Sequence, residues 1–115
     1  MAAGINRDRE NALFLPGVPL APSLQAESDP CVAVSGAGVV VSASPSHAVR
    51  VVVRQVADAL SPGALVISAT KGIETDTLAF MSQVYAECAP AVRFVALSGP
   101  SFAAEVCQGQ PTAVV

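Results

Sequence analysis

Through the middle of the chain, apolar and mixed segments alternate in blocks. Three runs, "GVVVSAS" (38–44), "ALVISAT" (64–70) and "VRFVALS" (92–98), are short, rich in Val or Ile, and uniformly apolar. Short continuous runs bounded by turn residues predict strands buried on both faces. Between them, "SHAVRVVVRQVADAL" (46–60) places Val49, Val52 or Val53, Val56 and Leu60 on one helical face. Arg50, Arg54 and Asp58, four apart, fall on another. "TDTLAFMSQVYAEC" (75–88) puts Leu78, Met81, Tyr85 and Cys88 on one stripe, with Thr75 or Asp76 as N-cap candidates. "SPG" (61–63) and "AP" (89–90) close the two helices.

Strand, helix, strand, helix, strand at this spacing predicts two βαβ crossovers, which are right-handed in nearly all sheets. The fold class is α/β with a mostly parallel sheet. Upstream, "LQAES" (24–28) reads as one more short strand and "NRDREN" (6–11) as the end of a polar helix. "LPGVPLAPS" (15–23) reads as a proline-rich surface connection, with too little periodicity for either element. "PTAVV" (111–115) reads as the start of another Val-rich strand, and no strand precedes the polar helix. Both ends are therefore expected to be incomplete.

Composition supports that layout. The chain has 115 residues, about one domain, and is 52% hydrophobic and 13% charged, enough apolar sequence for a core. Aromatics are 4%, with no Trp, which suits Val- and Ala-rich parallel strands covered by helices. A net charge of −3 argues against nucleic acid and anionic membranes as partners, so any anion site must be local. No apolar stretch is long enough for a membrane span, and "MAAGINRDREN" (1–11) lacks a signal-peptide core. Cys31, Cys88 and Cys107 are odd in number and widely spaced, which favours free thiols in a reducing, cytoplasmic compartment over disulfides or a metal site.

Ligands of open parallel sheets bind beyond the carboxyl ends of the strands. Three turns lie there: "SPSH" (44–47), "TKGIE" (70–74) and "SGPSFAAE" (98–105). Lys71 is expected at the rim of one crevice with Ser98, Gly99 and Ser101. The "GPS" segment (99–101) reads as opening a short helix whose free N–H groups would favour an anion, with Ser101 as hydroxyl donor or N-cap. Gly99 would let the backbone approach a ligand. A lone lysine after a strand is more often solvated than functional; convergence with the glycine-serine turn raises the odds. His47 reads most simply as a first-turn helix residue, and Glu74 and Glu105 as caps or surface charges that could serve as acids. "SGAGVV" (35–40) holds Gly36-x-Gly38 but lacks the third glycine of a dinucleotide fingerprint and precedes a strand, so it reads as a turn into the sheet.

The order and spacing of "NRDRENALFLPGVPL" (6–20), "PSHAVR" (45–50), "SATKGIE" (68–74), "LSGPSFAAEV" (97–106) and "GQPTAVV" (109–115) closely resemble the bacterial NAD(P)-dependent glycerol-3-phosphate dehydrogenases. The resemblance implies a Rossmann-like, mostly parallel sheet with flanking helices, incomplete at both ends, with residues 1–115 forming part of the NAD(P)-binding domain. It implies hydride transfer between NAD or NADP and a phosphorylated small molecule, with dihydroxyacetone phosphate giving sn-glycerol 3-phosphate, a glycerophospholipid precursor. By position, Lys71 resembles the lysine that contacts both cofactor and substrate. Gly99 and Ser101 resemble substrate-binding positions, and Ala103 a cofactor contact. Phe14 stands where many relatives carry a Tyr near the cofactor.

Ser44-Pro45 replaces the usual Val-Pro of the family, and Ala104 stands where some members carry Lys or Glu. The resemblance places the glycine fingerprint and first strands before Met1. The general-base lysine and helical substrate domain would follow Val115, so no catalytic residue is expected within this chain and the chain alone is expected to be inactive. A homodimer is an open expectation for the full-length enzyme.

Two other readings stay open on the sequence. One is a non-catalytic α/β module whose Lys71–Gly99 edge binds a phosphorylated ligand or partner; the other is a reductase of the same superfamily acting on a different hydroxy acid. A receiver-like signalling domain would need acidic residues clustered at the strand ends, and Asp58 and Asp76 fall in segments that read as helical.

Overall fold

The computed structural model describes all 115 residues. Its centre is a three-stranded parallel sheet of β3 (Val39–Ser42), β4 (Leu65–Ser68) and β5 (Arg93–Ala96), in that order. Helix α3 (Ser46–Val56), extended by a 3-10 turn at Ala57–Ala59, joins the first two strands, and α4 (Met81–Cys88) joins the last two. The predicted parallel sheet and its crossovers are present, with β4 as the middle strand.

Because the strand order follows the chain, both crossovers step across the sheet in the same direction. Two right-handed crossovers that step the same way place both helices on one face. The core accordingly lies on that face: Val49, Val53 and Val56 of α3, then Leu60, then Val66 at the centre of β4, then Met81, Val84, Tyr85 and Ala89. Val53, not Val52, is the fully buried member of the pair left open by the periodicity. The Tyr85 and Phe94 rings pack 5.2 Å apart between α4 and β5.

Within residues 1–115 the opposite face of the sheet is exposed. Val41, Ile67 and Val95 lie in register on it, and Val39, Val41 and Val95 are 57%, 64% and 46% exposed. Uniformly apolar strands cannot show which face is covered; that depends on where the helices go.

Three upstream expectations change. Residues 24–28 form no strand, because the Asn6 side chain takes both hydrogen bonds of Ala26, donating to its carbonyl at 2.8 Å and accepting from its N–H at 2.7 Å. The proline-rich segment instead supplies a strand, β2 (Leu15–Pro19), paired antiparallel with β1 (Glu10–Asn11). Pro16 and Pro19 are tolerated there because a two-stranded ribbon leaves N–H positions that need no ladder partner. Helix α1 (Ala2–Asp8) precedes the ribbon, as the polar helix end suggested, and Arg9 caps it in the left-handed region at φ 56°. A short helix α2 (Pro30–Val34) was not expected, although Asp29-Pro30 is a start signal: the Asp29 carboxylate accepts from the Cys31 N–H.

The helix expected over 75–88 begins only at Met81. Neither Thr75 nor Asp76 caps it; residues 75–77 form a turn, and the Gln83 side chain accepts from the Phe80 N–H at 2.8 Å. Leu78, expected on the buried stripe, is 68% exposed at φ 59°. Segment 70–80 is thus a long structured loop, and its organisation concerns the site below.

Candidate functional site

The carboxyl ends of β4 and β5 open into a cleft of about 490 Å³. Its walls include Ser68, Lys71, Gly72, Phe80, Leu97 and Gly99. Strand β4 carries the chain to Ser68, and the Thr70 hydroxyl then donates to the Ser44 carbonyl at 2.8 Å, tying the turn after β4 to the turn after β3. Lys71 follows directly. Its ammonium reaches across the cleft, donating to the Gly99 carbonyl at 2.7 Å and lying 3.4 Å from Ser101 Oγ. The structure therefore brings Lys71, Gly99 and Ser101 together across 28 to 30 residues of sequence.

The chemistry of the glycine-serine turn differs from the expectation. Helix α5 (Ala103–Cys107) opens after Phe102, not at residues 99–101, and it is one turn long. Ser101 is not its cap, and Gly99 presents a carbonyl, not an N–H, to Lys71. Gly99 sits at φ 147°, and a Cβ on it would meet the Ala113 carbonyl oxygen and the Val114 backbone. The backbone that needs the glycine here is the chain's own. Val115 exchanges both backbone hydrogen bonds with Ser98 at 2.8 Å, an antiparallel pairing limited to that residue of the expected "PTAVV" strand.

Other candidates lie apart from the cleft. Phe14 is at the tip of the β1–β2 ribbon, 71% exposed, and lines none of it. Ala103 is an exposed residue at the start of α5, and Glu105 is exposed on the same turn. His47 is exposed in the first turn of α3. Ala104 is exposed on α5, and Ser44 contributes its carbonyl to Thr70.

Glu74 has a different role from either expectation. The Arg50 guanidinium holds its carboxylate in a fork at 2.7 and 2.9 Å, and the Thr77 hydroxyl donates to it as well. These bonds hold the Glu74 carboxyl well below its ordinary range, at about 2, and push Arg50 upward in turn. Such a group stays ionised near neutrality, which excludes Glu74 as a proton donor there. Arg50 also binds Glu87 of α4 at 2.6 Å. No local pattern could have revealed this network, because its partners are 24 and 37 residues apart.

A second feature invisible to the sequence reading is Ser68. It is 2% exposed at the end of the central strand, lines the cleft, and its hydroxyl has no hydrogen-bond partner.

The family model described as the NAD-dependent glycerol-3-phosphate dehydrogenase N-terminus matches residues 1–115. The chain belongs to that family. A glycerol-3-phosphate dehydrogenase [NAD(P)+] of Geobacter metallireducens is 47% identical over 118 residues, covering 100% of this chain and 35% of the relative. One from Geobacter sulfurreducens is 48% identical, covering 93% and 33%. Among solved structures, glycerol-3-phosphate dehydrogenase from Coxiella burnetii superposes with a TM-score of 0.89 at 26% identity, covering 98% of this chain and 34% of that one. The Plasmodium falciparum glycerol-3-phosphate dehydrogenase gives 0.90 at 25%, covering 99% and 32%. The chain thus spans about a third of the length of these relatives. No helix is long and apolar enough to cross a membrane.

Proposed function

We propose that this chain supplies the ligand-facing edge of the NAD(P)-binding domain of a glycerol-3-phosphate dehydrogenase. The reaction reduces the ketone of dihydroxyacetone phosphate with NADH or NADPH and a proton, giving sn-glycerol 3-phosphate and the oxidised cofactor. The observation that carries the proposal is the Lys71 ammonium held over the cleft by the Gly99 carbonyl. An ammonium has three N–H donors, and Gly99 and Ser101 occupy two. The third is free for an anionic oxygen, and a compact charge on a flexible stem suits a phosphorylated substrate.

The residues present fit one end of the cofactor. Phe80 and Leu97 give the cleft apolar surface beside Lys71. Lys71, Phe80 and Leu97 would flank a nicotinamide held there, which would supply the hydride. Gly36 and Gly38 do not form a pyrophosphate cradle: they lead into β3 instead of following a strand. Within residues 1–115, Lys71 binds and orients, and no residue is assigned the proton transfer. The three free cysteines fit a reducing compartment, and we place the protein in the cytoplasm. A homodimer belongs to the same reading and is tested by the mass of the active species in solution.

Lys71→Met in the full-length protein keeps the apolar stem and removes the charge. Turnover of dihydroxyacetone phosphate with reduced cofactor should fall by ~10²-fold or more in kcat/KM. The melting temperature should barely move, since Lys71 is exposed. Unchanged kcat/KM would return Lys71 to a solvated loop residue and defeat the proposal.

A further inference from the structure

We infer that Glu74, held in place by Arg50, is the positioning residue that sets Lys71 over the cleft. This rests on the reading of Lys71 as the ligand-facing cation. Lys71 is followed at once by Gly72, which adopts φ 101° and is exposed, a joint about which the lysine could swing. The chain is anchored on both sides of that joint. Before it, Thr70 bonds the Ser44 carbonyl. After it, Glu74 is 7% exposed and bound bidentately by Arg50, a geometry with directional as well as charge specificity.

Glu74 also organises the rest of the loop. Its N–H donates to the Ala79 carbonyl at 2.9 Å, its carbonyl accepts from Leu78 at 2.9 Å, and its carboxylate accepts from Thr77. The loop is therefore folded around one carboxylate, and that carboxylate is fixed to α3 by Arg50. Arg50 has a second carboxylate partner, Glu87, on α4 and outside the loop. The two partners separate positioning from plain stabilisation: both balance the same guanidinium, but only Glu74 is tied to Lys71.

The test compares Glu74→Gln, Glu87→Gln and Lys71→Met in the full-length protein, each assayed well below its own melting temperature. Glu74→Gln should lower kcat/KM for dihydroxyacetone phosphate by about 10-fold or more, as expected for ångström-scale misplacement of a binding group. Glu87→Gln should leave kcat/KM near wild type even if it melts earlier. If Glu74→Gln fails to fold, Thr77→Val removes one bond to the same carboxylate and should lower kcat/KM about 3-fold. Wild-type kinetics for Glu74→Gln, or for Thr77→Val in its place, together with an impaired Lys71→Met, would overturn the positioning role and leave the proposed function standing. Equal kinetic losses in Glu74→Gln and Glu87→Gln would also overturn it, by showing a general structural effect. Wild-type kinetics for Lys71→Met would instead remove the site reading, and the positioning role with it.

Discussion

Lys71 Nζ lies 2.7 Å from the carbonyl oxygen of Gly99, joining the turn after the central strand to the turn after its neighbour. The contact depends on the path of the Gly99 backbone. That path is set by the close approach of Ala113 and Val114, where only a glycine avoids a clash.

Gly99→Ala should therefore act at two levels. The new Cβ would collide with the Ala113 carbonyl and would sit at a φ that side chains rarely adopt, costing on the order of 1–3 kcal/mol or displacing residues 113–114. Displacement would break the Ser98–Val115 pair and shift the carbonyl that Lys71 uses. Amide exchange of Ser98 and Val115 should accelerate while the core amides of β4 keep their protection. Unchanged protection at Ser98 would show that the turn tolerates a side chain.

Acid should weaken the loop through Glu74. Its carboxyl is held at about 2 in the folded protein by Arg50 and Thr77, against an ordinary value near 4.5. A lowered folded-state value stabilises the fold above the ordinary value, and that contribution is lost as pH falls towards the folded value. Denaturant unfolding at pH 5, 4, 3 and 2 should therefore show a stability gap between wild type and Glu74→Gln that is widest at the top of this range. The gap should close between about pH 4.5 and 2. A constant gap would mean that the carboxylate charge contributes nothing to the difference.

The two faces of the sheet should respond oppositely to substitution. Val53→Ala removes buried methyl groups beside Val66 and Val84 and should cost about 1.5–3 kcal/mol. In a chain of residues 1–115 alone, Val41→Lys places a charge on the exposed face and should change stability by only about 0.5 kcal/mol. The second variant should also bind less of an apolar dye and self-associate less than the unmodified chain, because Val41, Ile67 and Val95 form a continuous apolar row. A cost for Val41→Lys equal to that for Val53→Ala would show that the open face is covered in solution.

The sequence by itself determined the three strands, helix α3, the parallel class of the sheet and the convergence of Lys71 with Gly99 and Ser101. These follow from local apolar periodicity and from chain order, since successive crossovers bring successive strand ends to one edge. The family was legible in the same motifs, because "SATKGIE" (68–74) and "LSGPSFAAEV" (97–106) lie at those strand ends.

Tertiary structure alone decided the rest. The start of α4 moved from Thr75 to Met81 because Glu74 gathers residues 77–79 around a carboxylate bound by Arg50, 24 residues away. Residues 24–28 lost their strand to the side chain of Asn6. Gly99 turned a carbonyl towards Lys71 because the chain returns at Ala113. In each case a polar group found a partner distant in sequence, and such pairings leave no periodic trace along the chain.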